Sequence, residues 1–270
     1  MVRGLYTAAS GALVAQLNTD TIANNLANVN TAGFKRTLMQ VQSTDTLPIW
    51  RVQTDPGTTP GTTVPGKSVS DFIGNLGFGA FVYDTPANFE QGSFRQTGGP
   101  LDLAIGGPGF FTIATANGIR YTRDGSFVRN AQNQLVTQNG DLVLGRNGPI
   151  TIPDGKVNVQ ADGSITVNDI NAPTAPPLAV GNLRLTEFGN LTGLRPEGSN
   201  LFVDSGVSAP QTATTATSIE QGMLETSNSN VVRSMVDLIV SQRWFEANSK
   251  MMQAQDTLNN EAINEVGRNQ

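Results

Sequence analysis

The 270-residue chain contains neither cysteine nor histidine. Without them there is no thiol nucleophile, no serine–histidine dyad, no imidazole general base and no zinc site built on thiolate or imidazole. Most hydrolytic mechanisms are thereby excluded, although carboxylate chemistry stays open. The lack of cysteine also fits a chain that works outside the reducing cytosol without depending on disulfides. Charge is scarce too: 14% of residues are charged, against about 25% in ordinary soluble domains. The 17 basic and 22 acidic residues leave a net charge of −5, and no Lys/Arg cluster exceeds Lys35-Arg36. No basic face is available to neutralise phosphates, so nucleic acid is not an expected partner. No apolar run reaches the roughly 18 residues of a membrane span, and the opening segment lacks the continuous apolar core of a secretory signal. A surface so poor in charge suits one covered by neighbours; the alternative is the uncharged but solvated surface of a secreted β-protein.

What is present divides into helical ends and a non-helical middle. Small or apolar residues recur at Leu5, Ala8, Ala12, Ala15, Thr19, Ile22, Leu26 and Val29, which predicts an amphipathic helix over residues 4–29 with a close-packing seam. Ala9, Leu13 and Leu17 widen that stripe, and Gly33 supplies a stop. At the other end, Ser227 to Asn230 offer N-caps. Beyond them Val232, Met235, Val236, Ile239, Val240, Ala247, Met251, Ala254 and Leu258 continue a second stripe. Uninterrupted by Pro or Gly from Val231 to Val266, this helix is too long to bury its stripe in a small domain, and the N-terminal helix is the expected partner. Asn18, Asn24, Asn25, Asn28, Gln242, Asn248, Gln253, Gln255, Asn259 and Asn260 are expected to form an amide-rich outer face suited to hydrogen-bonding neighbours.

Residues 37–85 are rich in Thr, Pro and Gly and cannot be helical. They read as a flexible linker or an extended arm that orders on partners, and the arm is favoured because Leu47, Ile49, Trp50, Phe72, Ile73, Leu76, Phe78 and Phe81 give it something to bury. From 86 to 224, short apolar runs alternate with turn pairs such as Asn117-Gly118, Asp124-Gly125, Asn139-Gly140 and Asp162-Gly163, the signature of an all-β meander or small barrel. The expected fold is therefore α+β: terminal helices (1–36 and 225–270) paired as a coiled coil, an inserted all-β domain (86–224) and an extended arm (37–85).

Two features tempt an enzymatic reading. Gly106-Gly107-Pro108-Gly109 looks like a phosphate loop, but no Lys-Ser/Thr follows and the flanks read as strands. Asp102, Asp124, Asp141, Asp154 and Asp162 could supply an acid–base pair or calcium ligands. Three of them, Asp124, Asp154 and Asp162, sit directly before Gly, where Asp acts as a turn former. No catalytic residue, metal site or cofactor is expected.

The segment Ile22–Lys35, IANNLANVNTAGFK, resembles the N-terminal signature of flagellar basal-body rod, hook and hook-associated proteins. Tyr121–Phe127 (YTRDGSF), Leu101–Ile105, Gly109–Phe111 and the run from Glu225-Thr226-Ser227-Asn228 through Glu246-Ala247-Asn248-Ser249-Lys250 are similar to the middle and C-terminal motifs of the same family. The resemblance implies a layered structural subunit, not an enzyme. Its terminal helices would form an inner coiled coil around an axial channel, with the β-domain outside. Its partners would be further copies, other rod and hook subunits and the flagellar type III export apparatus, and its place the basal body, reached across the inner membrane. A single outer domain favours a rod subunit over a hook protein. The stretches Gly145–Pro153 and Arg243–Arg268 resemble the FlgF type (proximal rod) more than the FlgG type (distal rod). Expected subunit-interface residues are Leu5, Ala12, Leu13, Asn24, Asn25, Leu26, Asn28, Phe34, Met235, Ile239, Trp244, Phe245, Asn248, Met251 and Leu258.

Overall fold

A computed structural model describes residues 2–44, 46–52, 70–169, 176–213 and 217–268. Helix α1 spans Val2–Ala27 and helix α2 Val231–Arg268, and all long regular structure between them is antiparallel strand. The fold is α+β, as the periodicities predict. Asn230 starts α2: its Oδ1 accepts the Arg233 N–H at 3.0 Å, satisfying one of the free donors of the first turn. At the other boundary, α1 ends slightly earlier than its stripe suggests, and the chain turns through Gly33 at φ 67°.

The chain forms two compact units, one of Met1–Asp20, Met39–Asp84 and Val236–Gln270, the other of Thr21–Leu38 and Thr85–Met235. In the first unit the arm folds back on itself. Strand β1 (Gln40–Ser43) pairs with β4 (Ala80–Asp84), and β2 (Thr46–Val52) with β3 (Ser70–Gly77). The described parts of the Thr/Pro/Gly-rich segment are thus a self-paired ribbon, because its β-branched and aromatic residues flank the Pro/Gly cluster and can pair across it. Leu47, Phe78 and Phe81, expected to bury against partners, are exposed in the single chain; the side chains of Ile49, Trp50, Phe72, Ile73 and Leu76 lie outside the described residues.

The second unit is built on β7 (Phe110–Thr115). Its first four residues are all buried, so a strand with apolar neighbours on both faces reads as a continuous apolar run and not as an alternation. Phe111 and Ile113 enter one core with Leu103, Phe127, Val143, Ile152, Ile165 and Leu183, while Phe110 enters a second with Tyr121, Phe188, Leu194 and Phe202. Edge-to-face rings fill the second core, Tyr121 on Phe188 at 4.8 Å and Phe89 on Phe110 at 5.5 Å. Around β7 lies one antiparallel sheet that includes β8 (Gly118–Thr122), β11 (Leu142–Gly145), β16 (Leu185–Glu187), β17 (Leu194–Gly198) and β18 (Leu201–Asp204). β7 and β8 close on the predicted Asn117-Gly118 turn, with Gly118 at φ 105°. Asp124 and Asp162 act as turn formers: each Oδ1 accepts both the N–H and the hydroxyl of the Ser two residues on, Ser126 and Ser164 respectively.

Gly125, in the YTRDG run, is required by a close approach. A β-carbon there would stand 1.6 Å from the Leu103 carbonyl oxygen, and Leu103 N–H donates to the Gly125 carbonyl at 3.0 Å. Gly125→Ala must therefore displace strand β6 (Leu103–Gly106). Its expected cost is about 3 kcal/mol or more, read as a lower urea midpoint with an unchanged slope.

Candidate assembly surface and the residues that hold it

Within the second unit, the signature residues converge on one buried carboxylate. Glu225, at the end of β21 (Met223–Glu225), accepts from Lys35 Nζ at 2.6 Å and from the Gly92 N–H at 2.8 Å through Oε1. Its Oε2 lies 3.4 Å from Arg123 Nη1. Lys35 and Glu225 side chains are both fully buried and Arg123 nearly so. Lys35 also donates to the Glu90 carbonyl at 2.8 Å and Arg123 to the Gly107 carbonyl at 2.7 Å, with the guanidinium 4.8 Å above the Phe110 ring. Burial pushes both cations below their ordinary pKa values, and the neighbouring carboxylate opposes that shift. The Gly106–Gly109 run is thus an acceptor for Arg123, with strands on both sides.

Further contacts tie the same segments. Asn25 clamps Thr37, its Oδ1 accepting the Thr37 N–H at 2.9 Å and its Nδ2 donating to the Thr37 carbonyl at 2.8 Å. Asn228 Oδ1 accepts the Arg36 N–H, and its Nδ2 donates to the Asn88 and Glu90 carbonyls. Gly33 donates to the Glu225 carbonyl, and a β-carbon on it would stand 2.3 Å from the Asp124 nitrogen. Lys35, Arg123, Glu225 and Asn228 were not singled out as site residues from sequence, because nothing local marks charges that meet across 190 positions.

In the first unit the helices touch along a face of α1 that includes Ala8 and Ala15 of the expected small-residue seam, but along an unexpected face of α2. Gly4, Ala8, Gly11, Ala15 and Asn18 of α1 are buried or partly buried, as are Ser241, Asn248, Met252 and Gln255 of α2. Ser241 is fully buried; its hydroxyl donates to the Ala15 carbonyl at 2.9 Å and accepts from Thr19 Oγ1 and Asn18 Nδ2. The large apolar stripe expected to meet α1 is instead exposed at Val232, Met235, Val236, Ile239, Val240, Met251 and Leu258, as are Trp244 and Phe245 on the same helix and Leu5, Leu13 and Leu17 on α1. Conversely, Asn18, Asn248 and Gln255 from the expected outer amide face point into the helix contact or its edge, leaving Gln242, Gln253 and Asn260 outside. The reason is steric and polar: Gly, Ala and Ser permit close approach, and Asn18 finds a partner across the contact in Ser241.

The proposed interface residues therefore divide. Leu5, Leu13, Asn24, Met235, Ile239, Trp244, Phe245, Met251 and Leu258 are exposed; Leu26, Asn28, Phe34 and Asn248 are partly buried; Ala12 and Asn25 are buried within the chain. Groups of acidic residues arranged to hold a metal are absent among the described residues, and no described helix is long and apolar enough to cross a membrane.

Glu225→Gln leaves Lys35 and Arg123 buried without their carboxylate. The expected loss is roughly 3–5 kcal/mol of stability, measured by urea unfolding followed through near-UV circular dichroism.

The sequence matches flagellar family descriptions in three places: residues 5–35 match the flagella basal body rod protein family, 104–167 the D1 domain of flagellar hook protein FlgE/F/G, and 220–265 the C-terminal part of flagellar basal body rod FlgEFG proteins. Over the whole chain, the flagellar basal-body rod protein FlgG of Borreliella burgdorferi is 36% identical across 269 residues, covering 96% of both chains. FlgF of Caulobacter vibrioides is 35% identical across 271 residues and 99% of both chains; FlgG of Bacillus subtilis is 34% identical over 98% of this chain and 99% of its own. The preference for the FlgF type is not supported, since the similar relatives are mostly named FlgG. With both helical ends and the β-region matched, the chain belongs to the flagellar basal-body rod protein family, structural proteins of the flagellum.

Proposed function

We propose that the chain is a non-enzymatic subunit of the rod that polymerises through the outer faces of its terminal helices, paired as an antiparallel coiled coil, with further copies and with other rod and hook subunits. The observation that carries this reading is the exposed stripe Val236, Ile239, Val240, Trp244, Met251 and Leu258. Leaving such side chains in water forgoes about 1.5–3 kcal/mol each, and a contiguous exposed apolar patch marks an interaction surface. A rod that transmits torque needs many repeated contacts of this kind. Passage through the flagellar type III export apparatus is part of the proposal, supported by the absence of cysteine.

Between the two types, the FlgG reading (distal rod) has the better support from the relatives' names, and FlgF (proximal rod) is the alternative, with FlgF of Caulobacter vibrioides matching over 99% of both chains. Both proteins have relatives in Caulobacter vibrioides, which gives the test: expression of this chain should restore swimming to a strain lacking FlgG and not to one lacking FlgF. The reverse pattern would reassign it.

Met251→Asp and Leu258→Asp should abolish that restoration. Because both side chains are exposed, the stability of the purified chain should change by about 0.5 kcal/mol or less. Normal swimming with either variant would remove the helix face from the interface.

A further inference from the structure

The two helices meet in one repeating step. Ser241 meets Asn18, Asn248 lies against Gly11, and Gln255 lies against Gly4. As the α2 position rises by one heptad, the α1 position falls by one heptad, which defines an antiparallel pairing. At each glycine an amide occupies the place of a side chain: a β-carbon on Gly11 would stand 2.8 Å from Asn248 Oδ1, and one on Gly4 3.1 Å from Gln255 Cδ.

We infer that Asn248 and Gln255, seated on Gly11 and Gly4, are positioning residues that select the register of the helix pair. A slide of half a heptad would set Asn248 against Ala8 or Ala15, whose β-carbons fill the space the amide needs. The same slide would part Ser241 from Asn18 and Thr19, leaving a fully buried hydroxyl short of partners. A seam of Ala alone would tolerate several registers, whereas polar residues at core positions specify one. The register also decides which parts of the two exposed apolar stripes lie side by side. This deepens the assembly reading and rests on it only for the consequence in the cell; the register itself is a property of the isolated chain.

The chain has no cysteine of its own, so an introduced pair reports cleanly. The full-length chain carrying Asn18→Cys and Ser241→Cys is oxidised and the internal cross-link measured by thiol labelling. Adding Gly11→Ala should lower the cross-link yield at least tenfold, and adding Asn248→Ala as well should return it, since the amide that collides with the new methyl is gone while Gln255 on Gly4 still holds the register. Intrinsic helix propensity predicts the opposite sign, because Ala favours helix over Gly. An unchanged or higher yield with Gly11→Ala, or no return with Asn248→Ala, overturns the inference. In parallel, with the native residues at 18 and 241, Gly11→Ala should reduce the swimming of a strain that depends on this chain, and Asn248→Ala should restore it. If the cross-link series behaves as expected while swimming is indifferent, the register stands and the assembly reading fails.

Discussion

The second unit depends on where the Glu225 carboxylate sits. A buried carboxylate needs opposite charge and hydrogen-bond donors close by. Glu225 finds Lys35 from the segment after α1, the Gly92 N–H from the loop before the sheet, and Arg123 from the turn after β8. Each donor comes from a different stretch of chain, so the carboxylate is satisfied only when both ends of the polypeptide and the β-region are in place together. A buried ion pair is weak evidence for net stability. Its effect here is conditional: without Glu225, Lys35 and Arg123 are left buried without their carboxylate, and without Lys35 the carboxylate keeps only Arg123 and the Gly92 N–H.

The first unit shows a different division of labour. Its helices meet through Gly, Ala, Ser and amides, and they leave Trp244, Met251 and Leu258 outside. Within one chain this wastes apolar surface, since the hydrophobic effect favours covering the larger side chains first. The arrangement makes sense for a protein whose helices have two sets of neighbours. In the proposed assembly the inner contact supplies specificity through polar fit and close approach, and the outer stripe the favourable free energy of association.

Much of the fold was legible because it rests on local chemistry. Asn230 as the cap of α2, Gly118 in a hairpin and Asp124 and Asp162 as turn formers are each set by neighbours a few residues away. The α+β division followed from the change in period along the chain. The arm was legible as non-helical but not as a self-paired ribbon, since strand pairing between β2 and β3 joins residues on either side of the Pro/Gly-rich stretch. The apolar stripe on α2 was legible as a stripe, but in the single chain it is exposed and does not face α1.

Periodicity explains that last error. In α2 the apolar set Val236, Val240, Ala247, Met251 and the small or polar set Ser241, Asn248, Gln255 both recur at helical spacing. A sequence can therefore determine that a helix exists, where it starts and that it has two faces, because spacing and capping act within a few turns. Which face turns inward is a matter of packing on α1, where the Asn248 and Gln255 amides lie against Gly11 and Gly4. The meeting of Lys35 with Glu225 was decided the same way, by packing between residues 190 positions apart, since only the folded chain brings such charges out of water together.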